Sequence, residues 1–229
     1  MITLTTRNEI VKTKRIIGAE LTKMQKAFYD EEVLQYYKDD NEEHLYWEKF
    51  DCIKNEETDY PTFNKIIGLN HSDIDTFTNK LTGKLRELFK TINATDFIVI
   101  SHLKLDFFGN RDNNFKPLKE SYKTLEKIVG DKTFKEAFEI NINSLPEFIE
   151  ILFWTTRCDP SVAEYIFLFD KDEQIQLHLC KYGNLHLTEY NIEQLNEDKL
   201  EELGWTIIEG KEFDNFTESE KIKGRKIKL

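Results

Sequence analysis

The stretch EYIFLFDKDEQIQLHLCKYGNLHLTEY, residues 164–190, decides the fold of this chain. It contains three short apolar segments rich in Ile, Leu, Phe and Tyr, a composition that favours β-strands. The polar residues KDEQ (171–174) and the pair Gly183-Asn184 separate these segments, and residues of these types are typical of turns. Because strands joined by short turns run antiparallel, the stretch predicts an antiparallel sheet.

Helical periodicity dominates the sequence before this stretch. Apolar residues recur at three- and four-residue steps in 8–28 and again in 74–92, which predicts two amphipathic helices. Residues 60–70 are interpreted as a connector because a proline and a glycine interrupt them, and residues 131–140 are predicted to form a short helix. We therefore expect an α+β fold with a mainly helical N-terminal half. Its C-terminal antiparallel sheet should have three to four strands and flanking helices.

The same pattern suggests how the chain is organised. We predict a mainly helical acidic region over 1–95 and an α+β region with the β-hairpin sheet over 96–229. The alternative is one continuous domain, which a chain of 229 residues can form. The final residues, 220–229, are predicted to be a basic tail.

Charge and cysteine content narrow the classes of function. The net charge of −11 disfavours direct binding to a nucleic acid, because phosphates require a basic surface. Three widely spaced cysteines do not form a disulfide framework, so we expect reduced thiols and a cytoplasmic location. No apolar run approaches the length of a membrane-spanning helix, and we expect no membrane association.

The predicted hairpin around Gly183 holds two of the five histidines. If Gly183-Asn184 is a two-residue turn, His178 lies opposite Glu189 and shares a face with Cys180, whereas His186 lies on the other face. A zinc site needs ligands that converge on one point, but side chains two apart on a strand point in parallel. We therefore predict a structural hairpin with a cross-strand His–Glu pair, and neither a metal nor a cofactor.

The clearest functional signal lies in residues 30–59. This segment carries twelve acidic side chains and only three lysines, so its net charge is −9 in a chain whose total is −11. Tyrosine and tryptophan, which are common anchors of protein interfaces, are interleaved with the carboxylates. The alternative is a solvated helical face whose aromatic side chains point into the core. The predicted partner-binding residues are Tyr36, Tyr37, Asp39, Asp40, Glu42, Glu43, Tyr46, Trp47 and Glu48.

These features favour a non-enzymatic acidic binding protein. We expect a stoichiometric inhibitor of a basic toxin such as a nuclease, comparable in role to an immunity protein or an antitoxin, with a basic protein as its partner. One alternative is an enzyme without a familiar motif that uses His178, Cys180 or His102. Another is a structural or regulatory module of a larger assembly.

Overall fold

The computed structural model describes residues 1–130, 132–210, 214 and 216. The strands within this part are β1 (Ile2–Thr5), β2 (Thr62–Gly68), β3 (Asp96–Ser101), β4 (Ala137–Asn141), β5 (Ile166–Asp170), β6 (Ile175–Leu179), β7 (Leu185–Tyr190) and β8 (Thr206–Ile207). The helices are α1 (Arg7–Thr13), α2 (Arg15–Ala27), α3 (Glu31–Asp39), α4 (Glu43–Lys49), α5 (Ile74–Thr91), α6 (Lys116–Val129), α7 (Leu145–Cys158) and α8 (Glu197–Glu202).

All the described strands belong to one antiparallel sheet with the order β1-β4-β3-β5-β6-β7-β2-β8. Strands from both sides of residue 95 pair with each other, since β1 pairs with β4 and β2 pairs with β7. The predicted strands β5, β6 and β7 lie consecutively near the middle. The stretch 164–190 therefore provides the three central strands, and strands from more distant parts of the sequence pair with their outer edges.

Helices cover both faces of the sheet. One face packs against α5, α6 and α7 through a large core that includes Phe77, Leu118 and Phe153. The other face packs against α1 and α2, where Ile17 and Leu21 contact the strands β3 and β5. Central strands buried on both sides require apolar residues at successive positions, as in the fully buried run of β5.

The predicted fold class is wrong in two respects: the N-terminal half is not mainly helical, and the sheet has eight described strands instead of three to four. Residues 62–68 form β2 inside the sheet, although proline and glycine suggested a connector. A Cβ atom on Gly68 would lie 2.9 Å from the Ile208 Cδ1 atom, so a larger residue there would require the Ile208 side chain to shift. Residues 137–141 form β4, because pairing with β1 and β3 overrides a weak local helical pattern.

The predicted register of the β6–β7 hairpin is also wrong. His178 lies opposite His186, and Glu189 lies opposite Ile175 on the other face. The connection contains the residues from Cys180 to Asn184, closed by a hydrogen bond of 2.9 Å from the Cys180 amide to the Asn184 carbonyl. This longer turn shifts the register by three residues, and an odd shift exchanges the faces. The predicted His–Glu pair therefore does not form.

The helix boundaries predicted from the sequence are only partly correct. The helix predicted over 8–28 is divided at Lys14 into α1 and α2. Asp73 caps α5. The predicted basic tail, residues 220–229, lies outside the described residues.

A buried polar network joins the N-terminal helices to the sheet. Arg7 is fully buried, and its Nε and Nη2 atoms donate to the Asp51 carboxylate at 2.8 and 3.0 Å. Its Nη1 atom donates to the Ser101 carbonyl at 2.6 Å. Gln25 donates to Asp51 at 2.8 Å and to the His102 carbonyl at 3.0 Å. Helices α1 and α2, the segment after α4 and the end of β3 therefore meet at one point.

The electrostatics of Asp51 reflect this network. Burial by itself raises the pKa of the Asp51 carboxyl, but the hydrogen bonds and the charge of the Arg7 guanidinium outweigh burial and hold the pKa below its ordinary value. The carboxylate is therefore charged at neutral pH and serves as the counter-ion of Arg7.

We expect the substitution Asp51→Ala to lower the free energy of unfolding by about 3–5 kcal/mol, because it leaves the buried Arg7 without its counter-ion. Urea denaturation monitored by circular dichroism would measure the change. The matched control is Glu120→Ala, which breaks the exposed Lys123–Glu120 pair and should cost less than about 1 kcal/mol. Equal losses in the two variants would show that the network does not anchor the fold.

Candidate functional site

The predicted partner-binding residues lie on a helical hairpin, defined here as residues 28–50, which contains α3 and α4. The Asp30 carboxylate caps α3 by accepting hydrogen bonds from the amides of Glu32 and Val33 at 2.9 and 3.1 Å. Glu31 and Glu32 lie in the first turn, where negative charge interacts favourably with the helix dipole. Part of the acidic excess therefore stabilises the hairpin itself.

A small core holds the two helices together. Leu34, Tyr46 and Phe50 are buried, and Tyr46 stacks on Phe50 with a centroid distance of 4.6 Å. The Tyr46 hydroxyl donates to the Asp30 carbonyl and accepts from the Asp30 amide, both at 3.0 Å. Of the predicted binding residues, Tyr46 thus lies inside the hairpin and not on its surface.

Tyr37 and Trp47 are half-buried at the edge of this core. The Lys49 ammonium lies 4.6 Å from the centre of the Tyr37 ring and also donates to its hydroxyl. The Trp47 indole donates to the Glu43 carboxylate at 3.0 Å. Both rings therefore present one edge to solvent while the other edge packs inward.

The hairpin carries several large apolar side chains that are at least partly exposed, although the Phe28 ring also packs against His102 and Tyr165 at centroid distances of 4.6 and 5.7 Å. Tyr36 is 70% exposed, the largest exposed fraction in this group. Five of the eight large hydrophobic side chains exposed among the described residues belong to the hairpin, namely Phe28, Tyr29, Val33, Tyr36 and Leu45. We call this set, with the neighbouring carboxylates, the hairpin surface. Within the described part of the chain, the exposed large apolar side chains are therefore concentrated in one segment of the sequence.

Sequence reasoning identified Tyr36 but missed the other four apolar members. The signal was present in the helical spacing, because Val33 and Tyr36 are three residues apart and lie on the face opposite Leu34. This spacing identifies an exposed face of α3 only once the buried face of the helix is known.

The carboxylates of the hairpin surface have few cationic neighbours. Within the described part of the chain, no lysine or arginine forms an ion pair with the acidic residues of 31–43. These residues are Glu31, Glu32, Asp39, Asp40, Glu42 and Glu43. They share the segment with one lysine, Lys38, so the negative potential is concentrated beside the exposed rings.

Glu48 differs from these six carboxylates. It pairs with Lys135 at 3.0 Å, and the hydrogen bond and charge of that ammonium lower the pKa of the Glu48 carboxyl. The Lys49 carbonyl accepts a hydrogen bond of 2.9 Å from the Lys104 amide. With the Arg7–Asp51 pair, these contacts fix the end of α4 to the body of the protein. The surface is therefore presented on a preorganised support.

The alternative site at His178 lies near the turn of the β6–β7 hairpin. His178, Cys180 and His186 line a cleft of about 300 Å³, together with Tyr165 and Tyr182. His178 contacts Tyr165 and His186 with ring centroid distances of 4.8 and 5.5 Å. His102 contacts Tyr165 at 5.4 Å but does not line the cleft. The three residues of the enzyme hypothesis therefore do not share one cavity.

Burial determines the protonation of these two histidines. Desolvation lowers the pKa of His178 to about 3, and the neighbouring His186 contributes to the shift. Desolvation also lowers the pKa of His102 to about 4, although its hydrogen bond to the Tyr165 carbonyl opposes the change. Both imidazoles are neutral at physiological pH and are weak bases.

No group of three or more His, Cys, Asp or Glu side chains suited to hold a metal ion occurs among the described residues. The three cysteines are buried and unbridged, and burial raises the pKa of the Cys52 thiol to about 12. None of the helices in the described ranges combines the length and apolar character needed to cross a membrane.

Comparison with known proteins found no matching family model, no matching curated protein and no matching solved structure.

We expect the stability of the protein to fall on acidification below about pH 6.5. The unfolded chain binds protons at His102 and His178 in this range, whereas the folded protein resists protonation until about pH 4 and pH 3. Each histidine should contribute a loss of about 1.4 kcal/mol per pH unit while this difference persists. Urea denaturation at several pH values between 7 and 4 would measure the slope.

The substitution His178→Gln should reduce this slope, because it removes one of the two groups that titrate differently in the two states. The control substitution, at the exposed residue His44, is His44→Gln. An unchanged slope in His178→Gln would contradict the assignment of a depressed pKa to His178.

Proposed function

We propose that this chain is a non-enzymatic binding protein whose hairpin surface engages a basic protein. Its role would be that of an immunity protein or antitoxin that blocks a basic toxin, such as a nuclease, by stoichiometric binding. The observation that carries the proposal is the coincidence of five exposed apolar side chains with six carboxylates that lack a lysine or arginine partner in the described structure.

The two components of the surface suit the two stages of association. Carboxylates accelerate encounter with a cationic partner through long-range attraction, and salt screens this effect. Exposed rings such as Tyr36 supply contact area and slow dissociation once the partner is bound. A surface with only charge would bind weakly, and a surface with only apolar groups would lack selectivity for a basic protein.

Preorganisation supports the same function. The hairpin is fixed by its own aromatic core and by Asp51, Glu48 and the Lys49 carbonyl. A surface that is already ordered loses little conformational entropy on binding, which favours high affinity. We place the protein in the cytoplasm, where its unbridged cysteines would stay reduced.

The proposal is tested first by capturing partners from native lysate on the immobilised full chain at low and at high salt. We expect a basic protein to be retained at low salt and released as salt screens the carboxylates. If the wild-type chain retains no basic protein at low salt, the proposal fails.

Charge reversal then locates the surface. The variant Asp39→Lys/Asp40→Lys/Glu42→Lys/Glu43→Lys should lower the association rate constant at least about tenfold at low salt, measured by surface plasmon resonance with the captured partner. The matched control reverses the four acids of α8, as Glu197→Lys/Asp198→Lys/Glu201→Lys/Glu202→Lys, which changes the net charge equally. Equal effects of the two variants would indicate only a general response to net charge.

The apolar component is tested by Tyr36→Ala and Leu45→Ala. Each should increase the dissociation rate constant, with a loss of about 1–3 kcal/mol in binding free energy if the residue lies at the centre of the interface. The control is Ile192→Ala, which removes a side chain that is 67% exposed outside the hairpin. Unchanged dissociation in both hairpin variants would exclude these residues from the interface.

A further inference from the structure

A fully buried arginine on α7 takes its counter-ion from the C-terminal part of the chain. The Arg157 side chain has no exposed surface, and its Nη2 atom donates to the Asp214 carboxylate at 3.0 Å. Its Nη1 atom donates to the Lys181 carbonyl at 2.8 Å, and its buried Nε atom has no hydrogen-bond partner among the described residues. Because an uncompensated buried guanidinium is strongly destabilising, the Asp214 carboxylate has a specific electrostatic role.

Phe216, two residues after Asp214, makes a second contact with Arg157. The Phe216 ring packs edge-on against Phe77 and Phe153, with centroid distances of 4.8 and 5.8 Å. The Arg157 guanidinium carbon lies 5.1 Å from the centre of the same ring, within the range of a cation–π interaction. A carboxylate and an aromatic ring are therefore recognised together by one arginine.

The turn of the β6–β7 hairpin provides the space for this ring. Gly183 has φ of +85°, and a Cβ atom built on it would lie 2.9 Å from Phe216. The Lys181 carbonyl from the same turn holds Arg157 in place. The groove thus has three walls, formed by α5, α7 and this turn, and all three belong to the main body of the fold.

We propose that this groove, formed by Arg157, Phe77, Phe153 and Gly183, is a binding site for a peptide segment that carries a carboxylate and, two residues later, an aromatic ring. The chain's own Asp214 and Phe216 occupy it as an intramolecular ligand. They follow β8, which ends at Ile207, and neither belongs to a helix or strand. A peptide with the same two groups can therefore satisfy the groove from outside the chain.

This site is independent of the hairpin surface and has the opposite preference. The hairpin surface presents carboxylates to a basic partner, whereas the groove presents a guanidinium to an acidic and aromatic segment. Failure of one proposal leaves the other unaffected, because the two sites use different residues and different probes.

The test uses the full chain with its own ligand residues removed, Asp214→Asn/Phe216→Ala, and a fluorescent synthetic peptide of sequence EFDNFTE, which copies residues 212–218. Fluorescence anisotropy should show binding to this variant at least tenfold tighter than to the wild-type chain, whose groove is occupied. Replacing either the Asp or the second Phe of the peptide, by Asn or Ala respectively, should weaken binding at least tenfold.

The control that assigns binding to the groove is Arg157→Met in the same background, which keeps the side-chain volume and removes the charge. It should abolish the preference for the peptide with Asp. Peptide binding that is absent, equal in wild type and variant, or indifferent to the carboxylate and the ring would overturn the proposal.

Loss of the counter-ion of Arg157 can also prevent folding, so a second variant that keeps this counter-ion is needed. Phe216→Ala alone retains Asp214, and the same titration on it should show peptide binding at least tenfold tighter than to the wild type. If both variants are unfolded, adding the unlabelled peptide should restore the circular dichroism spectrum of the native chain. Failure to restore it would equally overturn the proposal.

Discussion

The need to neutralise the buried Arg7 guanidinium is the constraint on which the arrangement of the N-terminal half depends. An arginine without exposed surface is tolerated only if carboxylate and carbonyl oxygens surround it. Asp51 and the Ser101 carbonyl provide these oxygens, and Gln25 orients Asp51. Three segments far apart in sequence must therefore converge beside the end of β3. This convergence fixes how α1 and α2 lie on the sheet.

The position of the helical hairpin follows from the same constraint. Asp51 comes two residues after the last residue of α4, so the hairpin is tied to the body where its second helix ends. Leu34 and Tyr46 then turn inward, whereas Tyr36 and most of the carboxylates remain exposed to solvent. The surface that we propose for partner binding is a consequence of this anchoring as much as of local composition. Its acids serve two purposes, since Asp30 caps a helix while Asp39 and Asp40 remain exposed to solvent.

The sequence allowed part of this structure to be predicted, and the failures have physical causes. The meander 164–190 was recognisable because its apolar segments are short and separated by turn residues. Strand β4 was not, because Ala137 and Phe138 pack on opposite faces of a sheet covered on both sides, and the alternation that marks a strand is lost. The predicted register of the β6–β7 hairpin was wrong because the pair Gly183-Asn184 does not by itself determine the length of the turn. The acidic segment was found from charge, but distinguishing buried Tyr46 from exposed Tyr36 required knowledge of the inward face.

We infer that the Arg7 network holds the helical hairpin rigidly against the sheet. Native-state hydrogen exchange, followed residue by residue by NMR, tests it most directly in the wild type and in Asp51→Asn. When the charge of Asp51 is removed, amides of α3 and α4 should lose protection at least about tenfold more than amides of β3 and β5. Equal loss in the hairpin and in the sheet, or no loss in the hairpin, would show that the network does not hold the hairpin in place.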